Sequence, residues 1–306
     1  MDRVTAYAPG STSNVGPGFD CLGIAVAGIG DQVEATRGGR PGVRVLAVSD
    51  PRIPLEAERN TAALAAAEVL KRLGQETEGV ELKVQKGLPL SGGLGGSAAS
   101  AVAGAFAAHA LCGGALGEAE LIDCAIEAEA VVAGRHPDNV APSLLGGAVV
   151  VLGSKPLSYT RVSVHPSLRL VFVTPNYGVL TAHARSVLPD QVTRADAVSQ
   201  AASLAGLVLG LERGDGLLIG AAMLDRIAEP YRIPLYPGFE SARQAALAAG
   251  AFGVAVSGAG PTLLAVVPAS LGGAVSRAVA AAYESEGIAA ALVHVAGVDD
   301  QGARLA

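Results

Sequence analysis

Tryptophan is absent from this 306-residue chain, aromatic residues of all kinds amount to 4%, and there are only three cysteines. Few aromatics means few platforms on which the bases of a nucleic acid could stack. A formal net charge of -6 removes the basic patch as well, so nucleic acid is excluded as a partner. Cys21, Cys112 and Cys124 are odd in number and widely spaced, which frames neither a disulfide scaffold nor a zinc site; they read as free thiols in a reducing cytoplasm. Charged residues are scarce too, at 16% against 50% hydrophobic, and mean hydropathy is +0.42. Disorder is excluded and a large core is available. Long apolar runs are nonetheless missing. Ala98 to Leu111 and Gly250 to Pro268 are short or broken by Gly, Pro and polar residues, and none reaches the about 18 uninterrupted apolar residues of a membrane span. Met1 to Ala6 lacks the basic start and apolar run of a secretory signal. These absences predict a cytoplasmic globular protein with no membrane partner.

The length exceeds what one core usually serves, which predicts two domains of roughly 150 residues. In the first half, runs at Val4 to Ala8, Asp31 to Thr36, Val43 to Val48, Val80 to Lys86 and Gly146 to Leu152 read as strands. Helical periods cover Thr61 to Leu73, Ser97 to Leu111 and Glu118 to Ala133, the first and last stopped by Gly74 and Gly134. Gly153-Ser154-Lys155-Pro156 is the best boundary, dividing the chain into 1–155 and 156–306. Beyond it come a strand at Leu168 to Thr174, helices around Ala195 to Leu211, Leu217 to Ala228 and Glu240 to Ala249, strands Phe252 to Val256 and Leu263 to Val267, helix Leu271 to Glu286 and strand Ala290 to Val295. With one extra helix set aside, that order is the split β-α-β-β-α-β motif. The fold class is α+β.

The most informative segment is the run Pro89, Leu90, Ser91, Gly92, Gly93, Leu94, Gly95, Gly96, Ser97, Ala98 and Ala99. Four glycines in five positions lead into an alanine-rich helix. Without Cβ atoms the backbone can curl so that its N–H groups converge and a ligand approaches closely. The helix start adds unpaired N–H groups and the positive end of its dipole, so the segment reads as an anion site. Glycines that merely allow tight packing are the blander reading, and four together before a helix argue against it. The P-loop pattern fails, because Ser97 follows Gly96 with no lysine between. Gly93-Leu-Gly95-Gly-Ser-Ala98 satisfies the dinucleotide fingerprint. That fingerprint, however, sits directly between strand and helix, with an acidic residue about 20 positions on at the end of a second strand. Here five residues intervene after the strand, and the next acid, Glu118, opens a helix.

This loop, an early Ala8-Pro-Gly-Ser-Thr-Ser-Asn-Val-Gly-Pro-Gly-Phe-Asp20 and a late Ser257-Gly-Ala-Gly-Pro-Thr262 resemble the three motifs of the GHMP small-molecule kinases. Within that family, Asn14-Val-Gly-Pro-Gly-Phe-Asp20, His136-Pro-Asp-Asn-Val-Ala-Pro142 and Glu229-Pro-Tyr-Arg-Ile-Pro234 resemble the homoserine kinases. The resemblance spans nearly the whole chain in order. It implies an N-terminal domain like domain 2 of ribosomal protein S5 and a ferredoxin-like C-terminal domain. It implies transfer of the ATP γ-phosphoryl group to the side-chain hydroxyl of L-homoserine, a step toward threonine, with Mg²⁺ present and a homodimer possible. The chain departs from many relatives in having Gly96 and Ala259 in place of serines, which removes hydroxyls near the phosphate while the backbone N–H groups remain.

A carboxylate beside a triphosphate repels it unless Mg²⁺ lies between. At about 100° per residue, Leu121, Cys124, Ala125, Ala128 and Val132 form the apolar stripe of their helix, and Glu120, Asp123 and Glu127 share the opposite face. Glu129 lies about 160° around from Glu127, at the edge of the buried stripe. The wheel thus favours Glu129 over Glu127, which reads as solvated, and the resemblance implies that the helix glutamate shares Mg²⁺ with the loop serine, Ser97. Bidentate arginine suits the substrate carboxylate; Thr181-Ala-His-Ala-Arg185 and Pro230-Tyr-Arg232 resemble the segments that supply it. Asn14 and Asp20 match the positions implied to meet the ammonium, although such residues among glycines also cap their own turns. His136, Asp138 and Asn139 match the acceptor end. The resemblance assigns the reaction to Asn139, Asp138, Thr181 and Arg185, with Asn139 orienting the hydroxyl and Asp138 either a base or a residue behind it. Asn60 is an N-cap by sequence, and the resemblance places it toward the adenine.

Overall fold

The computed structural model describes residues 2–132 and 134–306, so the Met1 start and the Ala133 helix end of the sequence reading lie outside the described residues. In chain order the elements are β1 (Arg3–Asn14), β2 (Gly18–Gly38), β3 (Gly42–Val48), α1 (Thr61–Arg72), β4 (Gly79–Gln85), α2 (Gly96–Leu111), α3 (Glu118–Val132), α4 (Pro137–Leu145), β5 (Ala148–Ser154) and β6 (Leu157–Val162). They continue with β7 (Leu168–Pro175), α5 (Thr181–Ser186), α6 (Arg194–Arg213), α7 (Gly216–Ala222), α8 (Glu229–Arg232), α9 (Phe239–Ala248), β8 (Gly253–Val256), β9 (Leu263–Pro268), α10 (Gly272–Ser285), β10 (Ala290–Ala296) and β11 (Arg304–Leu305).

The first sheet runs β11-β1-β2-β4-β3, with β5 and β6 branching from the far end of β2. Val4, Ala6 and Ala8 alternate inward along β1 and meet the helices α1 to α4 over one core. Helix α2 is built almost wholly of small residues and is buried on nearly every side. The reason is close approach: a Cβ on Gly104 would collide with the Ala62 carbonyl of α1. Gly104 thus lets the loop-bearing helix sit close against α1. The second sheet, β10-β7-β9-β8, is antiparallel throughout, the strand order of the split β-α-β-β-α-β motif. Its outer face carries α9 and α10 over a core of its own. Its inner face buries Leu170, Phe172 and Leu264 against Ile24 and Val26 of β2 and Leu207 and Leu211 of α6.

The structure corrects the sequence reading in four places. The expected boundary at 155/156 falls in the turn between β5 and β6, which pair with each other in the first sheet; we place the divide in the connection before Leu168, where the second sheet begins. The first strand extends past Ala8 to Asn14, and β2 begins at Gly18, so most of the early motif is paired strand. Helix α7 stops at Ala222 instead of Ala228, because the Asp225 carboxylate takes the backbone N–H groups of Ile227, Ala228 and Glu229. Helix α4 was not foreseen; Pro137 stands at its first position, where a missing N–H costs nothing. Among the described residues no helix is long and apolar enough to cross a membrane.

Candidate active site

A cavity of about 540 Å³ opens between the two sheets' domains, within the volume range of small-molecule sites. Every candidate of the sequence reading lines it except Leu94, Ala98 and Ala99. Those three are buried in the apolar cores: Leu94 anchors the loop from below, and the two alanines face α2's packing partners. They contribute backbone, not surface.

The glycine loop leaves β4 and enters α2 through Gly95, which caps the helix at φ +62 without a side-chain bond. Gly93 is at φ +78, and a Cβ there would collide with the Ser257 carbonyl; one on Gly95 would collide with the Ser11 hydroxyl. Both positions need glycine on conformational and steric grounds. The loop's carbonyls are taken by protein donors: Ser257 Oγ donates to Gly93 at 2.7 Å, the Ser11 N–H to Leu94 at 3.2 Å, and Thr262 Oγ1 to Gly92. Among the described residues, none of the N–H groups from Gly92 to Ala98 has a protein acceptor. Unpaired donors at a helix N-terminus are what an anion requires. Beneath the loop, the buried Lys86 ammonium pairs with Asp31 and donates to the Gly96 carbonyl at 2.6 Å and Ser100 Oγ at 2.9 Å. With its charge neutralised and its donors used, Lys86 ties β2, β4 and α2 together under the cradle.

Asn60 caps α1: its Oδ1 accepts from Ala62 at 3.1 Å and Ala63 at 3.3 Å, and its Nδ2 donates to the Pro54 carbonyl at 2.9 Å. The cap role is thus occupied, while the residue still borders the cavity. Glu129 and Ser97 line the same cavity from α3 and α2. Glu129 is 2% exposed and its Oε1 has no hydrogen-bond partner; its Oε2 lies 3.6 Å from His136 Nδ1. Glu127 is half-buried and bonded twice to Arg135, at 2.9 and 2.6 Å, and this pairing holds its carboxyl below the usual range. An orphaned carboxylate oxygen buried in a cavity costs stability unless a cation completes it. Among the described residues no group of three or more His, Cys, Asp or Glu gathers there. That donor set suits a hard ion shared with substrate phosphates better than an all-protein cage.

The other end of the cavity is built by residues far apart in the chain. Asn139, in the first turn of α4, donates from Nδ2 to Ser13 Oγ at 2.9 Å and accepts at Oδ1 from Ser11 Oγ at 3.1 Å. The preceding Asp138 is buried, and desolvation, aided by the Asp20 charge, pushes its carboxyl up to about 6. Asn14 at φ +69 donates to the Gly258 carbonyl at 2.6 Å and accepts from the Asp20 N–H at 2.9 Å, joining the first motif to the third. Asp20 forms a two-bond ion pair with Arg185 of α5; Thr181 opens the same helix and faces the cavity. Arg232 is 3% exposed and, among the described residues, bonds only carbonyls, those of Ala184 at 3.0 Å and Gly258 at 3.3 Å. Both guanidiniums overlie the Phe19 ring, at 5.8 Å for Arg185 and 5.1 Å for Arg232. Burial pushes the Arg232 guanidinium down, and a buried cation without a carboxylate calls for an anion.

Sequence reasoning missed Ser11 and Ser13, which hold Asn139, and Lys86 with Asp31. The serines stood inside a quoted motif, whereas Lys86 stood at the end of the strand read over Val80 to Lys86 and carried no local signal. Phe19 also stood in the motif, but its role as a floor for two arginines needs the second domain.

Comparison with known proteins agrees with this geometry. The profile described as GHMP kinases N terminal domain matches residues 60–147, and GHMP kinases C terminal matches 207–285. The fold is that of a small-molecule kinase of this class. A homoserine kinase of Nostoc sp. is 39% identical over 99% of this chain and 99% of its own. That of Arabidopsis thaliana is 37% identical over 99% of this chain and 84% of its own. The crystal structure of homoserine kinase from Cytophaga hutchinsonii superposes with a TM-score of 0.95 at 37% identity, covering 100% of this chain and 98% of that one. The chain belongs to the GHMP kinase family, in its homoserine kinase group.

Proposed function

We propose that this protein transfers the γ-phosphoryl group of ATP to the side-chain hydroxyl of L-homoserine, giving ADP and O-phospho-L-homoserine, a step toward threonine. The observation that carries the reading is one cavity with an unpaired N–H cradle at one end and, at the other, Asp20 with Arg185 and the buried Arg232. A zwitterionic amino acid needs both signs of charge, and a nucleotide triphosphate needs the cradle.

Phosphoryl transfer is mainly positioning and charge stabilisation. The N–H groups from Gly92 to Ala98 bind the phosphates. Glu129 and Ser97 would hold a Mg²⁺ ion, whose charge offsets that of the transferring group. At the other end Asp20 takes the ammonium, with Asn14 fixing its backbone, while Arg185 and Arg232 take the carboxylate. Asn139, itself fixed by Ser11 and Ser13, orients the hydroxyl, and Thr181 closes that end. The hydroxyl oxygen forms the new P–O bond as the bond from the γ-phosphorus to the bridging oxygen breaks, ADP keeping the electron pair. Asp138, poised near neutrality, receives the hydroxyl proton; a base with a value close to working pH serves best.

The test is ADP release with homoserine, mevalonate, galactose and shikimate in parallel, each with ATP and Mg²⁺. Turnover with homoserine alone is expected, and turnover with another alcohol in its place overturns the substrate assignment. The resemblance also brings a cytoplasmic homodimer into this proposal, and the molar mass in solution against 30.4 kDa per chain checks the dimer.

A further inference from the structure

Gln200 of α6 lies outside the cavity and is 7% exposed, yet it touches both arms of the acceptor site. Its Nε2 donates to the Pro17 carbonyl at 3.0 Å and to Asp225 Oδ1 at 2.9 Å, and its Oε1 accepts from the Arg226 N–H at 2.8 Å. An amide has two N–H donors on one side and an acceptor on the other. Only this orientation works, because the reverse would set a carbonyl oxygen against two acceptors.

Each arm depends on that amide. On one side, Pro17 lies in the turn between β1 and β2 that presents Phe19 and Asp20. The turn holds Asn14 at φ +69, Val15 at φ +32 and Asp20 at φ +56, conformations that persist in non-glycine residues only when their surroundings over-determine them. On the other side, Asp225 accepts from Ile227 at 2.8 Å, Ala228 at 3.1 Å and Glu229 at 2.8 Å, organising the entry to α8. That helix has four residues and no side-chain cap of its own, too few to hold its shape unaided, and it ends on Arg232.

We infer that Gln200 is a positioning residue for the amino-acid acceptor, clasping the Asp20 arm to the Arg232 arm so that their spacing matches a bound zwitterion. The inference rests on the proposed reading of the acceptor site. It predicts a split between the two substrates, since the phosphate cradle does not depend on the clasp.

Gln200→Leu keeps the volume and removes all three bonds; the acceptor KM is expected to rise on the order of tenfold, with KM for ATP and kcat within about twofold. Gln200→Glu gives a second, independent readout. The charged groups on the segments that meet there are Asp225 and Arg226 before α8, Glu229 and Arg232 in α8, Asp20 beyond Pro17, and Asp196, one turn earlier, with Arg194, Glu212 and Arg213 on α6. As a carboxylate, the new side chain opposes Asp225 and the Pro17 carbonyl; once protonated it donates again. Its acceptor KM, relative to wild type at the same pH, is therefore expected to fall back as pH is lowered from about 8 to about 6. A merely structural role would raise both KM values together with no recovery at low pH. That outcome, or unchanged acceptor KM in both variants, overturns the clasp. Wild-type ADP release with homoserine, run alongside, tests the underlying reading separately: an active wild type without the split fails the clasp alone, and an inactive one fails the reading.

Discussion

Arg185 meets Asp20 across 165 residues of chain, Nη1 to Oδ2 at 3.0 Å and Nη2 to Oδ1 at 2.6 Å, so the acceptor end satisfies its own charges. A zwitterion can divide this pair without leaving a charge unmatched, giving its ammonium to Asp20 and its carboxylate to Arg185 and Arg232. A ligand with one charge strands the other partner.

The first prediction is therefore that 4-hydroxybutyrate and 3-amino-1-propanol, each lacking one charge, bind about 10- to 100-fold more weakly than homoserine, since a hydrogen bond to a charged group contributes about 1.5–3 kcal/mol. Inhibition constants measure this. An analogue that binds within threefold of homoserine sinks the exchange model.

In the proposed mechanism Asp138 sets the acid side of the pH profile. Burial raises its carboxyl to about 6, so below that value it holds a proton and cannot accept another. kcat/KM is expected to fall about tenfold per pH unit below about 6, and Asp138→Asn should abolish that limb along with most turnover. Stability has the opposite sign. Between the ordinary carboxylate value of about 4 and about 6, the folded chain binds a proton that the unfolded chain has lost. Stability thus falls as pH rises through that window and stays lower above it. Chemical denaturation of wild type and Asp138→Asn at pH 4.5 and 7.5 measures the difference, and equal pH dependence in the two proteins would count against it.

Glu129 carries an unpartnered buried oxygen, a cost borne by the protein without substrates. Glu129→Gln is expected to raise the Tm of the free protein, by an amount worth about 1 kcal/mol or more, while cutting turnover at least ~10-fold and weakening the Mg²⁺ dependence. Thermal melts and a Mg²⁺ titration of the rate decide it. A lowered Tm with unchanged Mg²⁺ dependence would make Glu129 a structural residue.

In the cradle, Gly93→Ala and Gly95→Ala should each raise KM for ATP at least ~10-fold, because a Cβ meets the Ser257 carbonyl or the Ser11 hydroxyl at positive φ, strain of about 1–3 kcal/mol. Gly39→Ala, where a Cβ meets nothing within 4 Å, is the control and should leave both KM values alone. Steady-state kinetics of the three variants separate loop strain from a general loss of glycine flexibility.

Much of this was readable in one dimension. The cradle, the split β-α-β-β-α-β order and the burial of Glu129 over Glu127 follow from local chemistry: glycine spacing, strand and helix periods, and the wheel of a single helix. Helix α4 was missed because His136-Pro-Asp-Asn reads as a turn, and its burial against β2 is what makes it helical; a Cβ on Gly23 would collide with the Asp138 carbonyl. The overrun of α7 has a similar cause, since only Gln200 and the Asp225 turn reveal where the helix must stop.

By itself the sequence determined what depends on neighbours along the chain: the anion loop, the helix that carries it, the strand order and the residue types fit for phosphate, carboxylate and ammonium. Only the tertiary structure decided which of those residues share a cavity and in what charge state they wait. Asp20 with Arg185, Asn139 with Ser11 and Ser13, and Gln200 between Pro17 and Asp225 are pairings over long stretches of chain. Burial and mutual charge, which raise Asp138 and leave Arg232 without a carboxylate, exist only once the two domains have closed on each other and excluded water.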